Sequence, residues 1–156
     1  MSASSNVFTG SFAEVYDRYL VPMDFATHGR RIAERVRALT PRSVLETAAG
    51  TGVVTRELAR ILPSEARITA TDLNQPMIAL AQINVGSERI RWQQADALDL
   101  PFPDGEFDVV VCQFGVMFFP DKTKVFEKLC VCFGAVAAFS STCGTGSKRI
   151  PTAPCE

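Results

Sequence analysis

The run Ser43-Val44-Leu45-Glu46-Thr47-Ala48-Ala49-Gly50-Thr51-Gly52-Val53-Val54-Thr55 decides the fold of this chain. An apolar strand ends in a carboxylate, turns through small residues and enters a helix. Small residues let a backbone come close to a ligand, and the start of a helix offers it free N–H groups. Asp72 follows at the end of a second strand, twenty residues after Gly52. That spacing suits a carboxylate that accepts hydrogen bonds from ribose hydroxyls. The pattern predicts a nucleotide-binding turn; the bland alternative is a purely structural turn between strand and helix.

Two ligand classes fit, a dinucleotide such as NAD and S-adenosylmethionine. A dinucleotide fingerprint wants G-x-G-x-x-G, but here Ala48 precedes Gly50 and Gly52, and Thr55 stands at the third glycine position. Glu46 also counts against NAD. A carboxylate repels a pyrophosphate and attracts a methionine ammonium.

Outward from this run, strands and helices alternate. Helical patterning covers 12–20 and 25–39, the second with Ile32, Val36 and Leu39 on one face. Strands are expected at 43–47, 67–71, 90–94 and 107–112, and helices at 53–62, 76–84 and 121–130. Asn74 or Gln75 can cap the helix that carries Pro76 in its first turn. Residues 100–105 read as a loop. The alternation predicts an α/β fold with a parallel sheet and right-handed crossovers. Ligands in such sheets bind at the carboxyl ends of the strands. Glu46, Asp72, Asp96 and Gln113 all fall there, so one pocket can collect them.

The 156 residues suffice for one domain with a core, and 47% are apolar. A net charge of −1 gives no electrostatic case for nucleic acid. No apolar run reaches the length of a membrane span. The start, 1–5, has neither a basic region nor an apolar one, which points to a cytoplasmic protein. The five cysteines are expected as reduced thiols. Cys130, Cys132, Cys143 and Cys155 lack zinc-site spacing, and no metal is expected. His28, the single histidine, reads as a solvated helical residue rather than a base.

Four segments, in order, resemble class I S-adenosylmethionine-dependent methyltransferases of the ubiquinone/menaquinone-biosynthesis type. They are 44–52, 71–77 (Thr-Asp-Leu-Asn-Gln-Pro-Met), 94–102 (Gln-Ala-Asp-Ala-Leu-Asp-Leu-Pro-Phe) and 107–121 (Phe-Asp-Val-Val-Val-Cys-Gln-Phe-Gly-Val-Met-Phe-Phe-Pro-Asp). The resemblance covers about residues 10 to 129. Ala48 departs from it, since many relatives have a glycine there; one added methyl group is expected to be tolerated.

The resemblance implies a doubly wound, Rossmann-like sheet of order 3-2-1-4-5, incomplete at its end. It implies S-adenosylmethionine as cofactor and a small-molecule acceptor. Glu46 would reach the methionine part, with Ala48, Gly50 and Gly52 letting the backbone approach. Asp72 would accept both ribose hydroxyls, with Leu73 and Met77 packing on adenine or ribose. For Met77 a plain core role competes with this. Asp96 and the Ala97 N–H would contact adenine. Gln113 and Phe114 would line the methionine side, and Tyr16 and Tyr19 would lid the cofactor. No general base is assigned.

From about Leu129 the family pattern stops. The tail holds four of the five cysteines and no acid before Glu156. A shifted reading frame near codons 129–131 is expected, because compatible codons exist whose other frame resumes the family's pattern. Residues 135–140 could add a fifth strand, and the stretch after 141 is expected to be disordered. The division is thus 1–41 as arm and helices over the cofactor site, 42–130 as cofactor-binding core, and 131–156 as aberrant tail. An exposed sheet edge would then invite self-association. The leading reading is a small-molecule methyltransferase. The alternatives are a non-catalytic cofactor-binding fragment and, less favoured, an NAD-dependent oxidoreductase.

Overall fold

A computed structural model of the chain describes residues 14, 15, 17–19 and 25–131. Helix α1 spans Ala26–Ala38 and leads to strand β1, Ser43–Thr47. Then come α2 (Val53–Ile61), β2 (Arg67–Asp72), α3 (Gln75–Val85), β3 (Ile90–Gln94) and β4 (Val109–Val111). A short 3-10 turn, Gly115–Phe118, precedes α4, Lys122–Val131. All strand pairs are parallel, in the order β3-β2-β1-β4. These are the first four strands of the expected order. The expected fifth strand at 135–140 lies outside the described residues.

Both faces of the sheet are covered, which explains why β1 and β4 are buried at every position. On one face Ile32, Ala33 and Val36 of α1 and Val54 and Leu58 of α2 pack with Val44, Ile68, Val109 and Val111. On the other, Leu45 and Val110 meet Phe102, Phe107, and Val125 and Leu129 of α4. Alternate residues of one strand thus feed two cores. Each buried aliphatic side chain stabilises the fold by roughly 1.5–3 kcal/mol. Val109, Val110 and Val111 are 1%, 0% and 1% exposed, and β4 ends the strand order among the described residues.

Two polar devices fix the framework. The guanidinium of Arg89 donates to the carbonyls of Ala59 (3.0 Å), Pro63 (2.6 Å) and Ala66 (3.3 Å). It thereby satisfies carbonyls that the end of α2 leaves without helical partners. Asp108 ties β4 to the start of β1. Its Oδ2 accepts the backbone N–H groups of Arg42 (2.7 Å) and Ser43 (2.9 Å), while its own N–H donates to Ser43 Oγ (3.0 Å). Hence β4 is shorter than the expected 107–112: residue 108 serves this clamp before the ladder begins. Past Val111, Gly115 N–H bonds back to Gln113 O at 2.7 Å, which turns the chain out of the sheet.

The Arg42 N–H, with the other bonds of the clamp, holds the Asp108 carboxyl below the usual carboxylate range. A carboxyl so depressed contributes stability that is present above its unfolded value and lost as pH falls through its folded one. Asp108→Ala is expected to cost about 1–2 kcal/mol at neutral pH, the scale for charged hydrogen bonds to partly hydrated amides. Urea unfolding measures this, and the gap between native and variant should close in acid.

Candidate functional site

The turn between β1 and α2 carries three left-handed residues in alternation: Ala48 (φ 53°), Gly50 (φ 57°) and Gly52 (φ 83°). They are small for three different reasons. A Cβ on Gly52 would lie 2.9 Å from Val85 and 3.1 Å from both Ala81 and Trp92. Gly52 is therefore glycine because α3 and β3 press against it, not because it faces a ligand. A Cβ on Gly50 would meet nothing within 4 Å. Gly50 alone of the three borders open space. The methyl of Ala48 instead faces Gly115, in the turn after β4. The expected tolerance of alanine at 48 carries a local cost, since a Cβ in the left-handed region is disfavoured by roughly 1–2 kcal/mol.

Asp72 closes β2 and holds this turn in place. Its Oδ2 accepts the Gly50 N–H at 2.9 Å, and its Oδ1 accepts the Asn74 N–H at 2.8 Å and the Asn74 side-chain amide at 3.3 Å. One carboxylate therefore joins the turn after β1 to the start of α3. A carboxylate has about four acceptor positions, so capacity for further donors remains.

Glu46 is 2% exposed, and the Thr55 hydroxyl donates to its Oε2 at 2.6 Å. Thr55 occupies the position a dinucleotide fingerprint gives to its third glycine. Here it secures the first turn of α2 to β1 through a side chain. Burial pushes the Glu46 carboxyl up to about 8; Thr55 opposes this, and the charge of Asp72 adds to it. The acid that the sequence suggests as a fixed negative charge is thus neutral at pH 7. Beside it, burial raises the thiol of Cys112 to about 11.

The remaining candidates divide. Leu73 is 45% exposed, whereas Met77 is 3% exposed. Met77 is buried with Ile78 and Ala81 on α3. Asp96 lies two residues past β3 with its side chain curled onto its own turn, Oδ1 accepting the Leu98 N–H at 2.9 Å. Ala97 beneath it is buried in the core that holds Leu45. Gln113 is 9% exposed, and its Nε2 has no hydrogen-bond partner among the described residues. Phe114 is left-handed (φ 59°) and half-buried. Phe25 and His28 meet its ring edge-on at 4.7 and 5.6 Å. His28 is thus half-buried at the site's border rather than solvated as the sequence suggests. Tyr19 is exposed, with the Arg18 guanidinium 5.7 Å from its ring centre, while Tyr16 lies outside the described residues.

Sequence reasoning missed Thr47, Thr51 and Phe25. The hydroxyl of Thr51 is buried without a hydrogen-bond partner, like the Gln113 amide, while that of Thr47 is buried beside the Cys112 thiol. Buried polar atoms are normally paired, so two orphans past the carboxyl ends of β1 and β4 mark a place built for polar contact. The available signal was their place in the run 43–55. Among the described residues, no group of three or more His, Cys, Asp or Glu could hold a metal ion.

The buried acid sets a pH dependence. Glu46 ionises near 4.5 when unfolded and near 8 when folded. Its contribution to stability is full below the lower value and is lost as pH rises through the higher one, with a slope of up to about 1.4 kcal/mol per pH unit. Glu46→Gln removes the titration and keeps an acceptor for Thr55. Urea unfolding of this variant should show a flatter dependence on pH across that interval; an unchanged slope would mean the acid is not held neutral.

Comparisons with known proteins follow this geometry. The family described as "Methyltransferase domain" matches residues 44–132. A demethylmenaquinone methyltransferase of Deinococcus radiodurans is 39% identical over 97 residues, 61% of this chain and 40% of that protein. One from Thermus thermophilus is 33% identical over 126 residues, 76% of this chain and 57% of that protein. The chain thus spans about half, or less, of the length of these relatives. The fold is that of a crystal structure from Methanococcus maripaludis described as a putative S-adenosyl-L-methionine-dependent methyltransferase. That likeness has a TM-score of 0.77 at 23% identity and covers 90% of this chain and 67% of that one. The chain belongs to the methyltransferase-domain family.

Proposed function

We propose that this chain binds S-adenosylmethionine at the carboxyl ends of β1, β2 and β4 and forms the cofactor-binding part of a small-molecule methyltransferase. The observation that carries the reading is Gly50. It is the one left-handed residue of the turn with open space over it, and its N–H is aimed by a carboxylate suited to ribose hydroxyls. The residues fit the cofactor's chemistry. Asp72 has an acceptor position left for a ribose hydroxyl, with Asp96 and Ala97 toward the adenine side and Leu73 offering an apolar surface. Gln113 and Thr51 bring unpartnered polar atoms to the methionine side. The family match supports residues 42–130 as the cofactor-binding unit.

When bound, the cofactor supplies a methyl group activated by a sulfonium. The residues of this chain bind and orient it and exclude water, and such positioning can account for much of the rate of an in-line transfer. Phe25, Phe114 and His28 form an aromatic border to the methionine side. The named relatives act on demethylmenaquinone, and we infer an acceptor of the quinone type here. No helix among the described residues is long and apolar enough to cross a membrane.

Calorimetric titration tests the reading. S-adenosylmethionine should bind saturably, and NAD should not. Asp72→Asn, checked for folding by circular dichroism, should weaken binding by about tenfold or more, the scale for losing a charged hydrogen-bond acceptor. Binding of NAD alone would favour an oxidoreductase. A folded chain that binds neither ligand would overturn the proposal, and binding without turnover on any quinone would leave a non-catalytic fragment.

A further inference from the structure

Gly115 is a glycine without a conformational reason. Its backbone lies outside the left-handed region, so any residue could adopt it. What excludes a side chain is space. A Cβ there would lie 2.4 Å from the Ala48 Cβ and 3.0 Å from the Cys112 Sγ, against about 3.5–4.0 Å for carbon atoms in contact. Ala48, in turn, keeps a methyl group in a backbone region that favours glycine. The two oddities face each other across the junction of β1 and β4.

We propose that Ala48 and Gly115 are a matched steric pair that sets the spacing between the turn after β1 and the turn after β4, and so positions the methionine side of the cofactor site. This rests on the cofactor reading above. The Ala48 methyl fills the space that Gly115 leaves empty. Gly115 directly follows Gln113 and Phe114, and its N–H is bonded to Gln113 O at 2.7 Å. Any shift at 115 therefore moves the unpartnered Gln113 amide. Asp96, beyond β3, stands apart from the junction, and Asp72 meets the turn at the Gly50 N–H rather than at Ala48. The pair should therefore act more on the methionine half of the ligand than on the adenosine half.

The test uses two probes, S-adenosylhomocysteine and 5′-methylthioadenosine, which lacks the amino-acid part. Binding is read by calorimetry and by the fluorescence of Trp92, the single tryptophan, which packs under Gly52. Gly115→Ala should weaken S-adenosylhomocysteine by about tenfold or more and methylthioadenosine by less than about threefold. Ala48→Gly combined with Gly115→Ala should recover S-adenosylhomocysteine binding to within about fivefold of native, the Cys112 contact accounting for the remainder. If Gly115→Ala does not fold, the double variant must fold and unfold thermally within about 5 °C of Ala48→Gly. Equal loss for both probes, a double variant no better than Gly115→Ala, or a single variant that binds like native would each overturn the pair while leaving the cofactor reading intact. A native chain that binds neither probe would overturn both.

Discussion

Everything at the site depends on how a strand buried on both faces leaves the middle of the sheet. β1 must turn into α2 within five residues, directly beside β2 and β4. The chain does this by alternating left-handed residues at 48, 50 and 52. Such a turn has no regular hydrogen-bond ladder of its own. It is held from outside, by Asp72 on the Gly50 N–H, by Thr71 O on the Ala49 N–H at 2.9 Å, and by the packing of Val85 and Trp92 around Gly52. The turn is therefore only as rigid as β2 and α3. The carboxyl end of the sheet becomes a site because its neighbours fix a loop that cannot fix itself.

The same burial decides the electrostatics. Glu46 and Asp72 are both acidic and both lie at the ends of adjacent strands, but they differ in what surrounds them. Asp72 accepts two backbone N–H groups and a side-chain amide. Glu46 has burial and one hydroxyl, and burial wins. The charge of Asp72 adds to the effect of burial. A cationic group placed near Glu46 would shift the balance toward the carboxylate.

The sequence makes the framework legible because its signals are local. Hydrophobic continuity gives β1 and β4, and the small residues of 48–52 give the turn. The alternation of elements gives a parallel sheet, while the strand order comes from the resemblance to the family. What sequence leaves hidden are relations between distant residues. That Gly50 faces space while Gly52 faces Trp92 depends on α3 and β3, distant in the chain but adjacent in the fold. Met77 reads equally well as ligand contact or core, since helix periodicity gives a face without saying what it meets; packing sends it inward. Thr55 looks like a missing glycine until its hydroxyl is seen on Glu46. His28 looks solvated until α1 is docked on the turn after β4.

The two halves of the site are held by different physics. At β2 and β3 the side chains are committed: Asp72 and Asp96 each bond to backbone N–H groups of their own turns, so their positions are fixed before any ligand arrives. At β1 and β4 the polar atoms of Thr51 and Gln113 are uncommitted, and position there comes from contact alone. Phe114 is held in a left-handed conformation by two ring edges, and Ala48 is held against Gly115. Leaving buried donors unpaired and a side chain at positive φ both cost free energy in the absence of ligand. Such costs persist where the surrounding packing over-determines them, and a ligand that satisfies the orphan atoms recovers part of them as affinity. The part of the proposed site at β2 and β3 therefore reads as preformed, and the part at β1 and β4 as the one completed by binding.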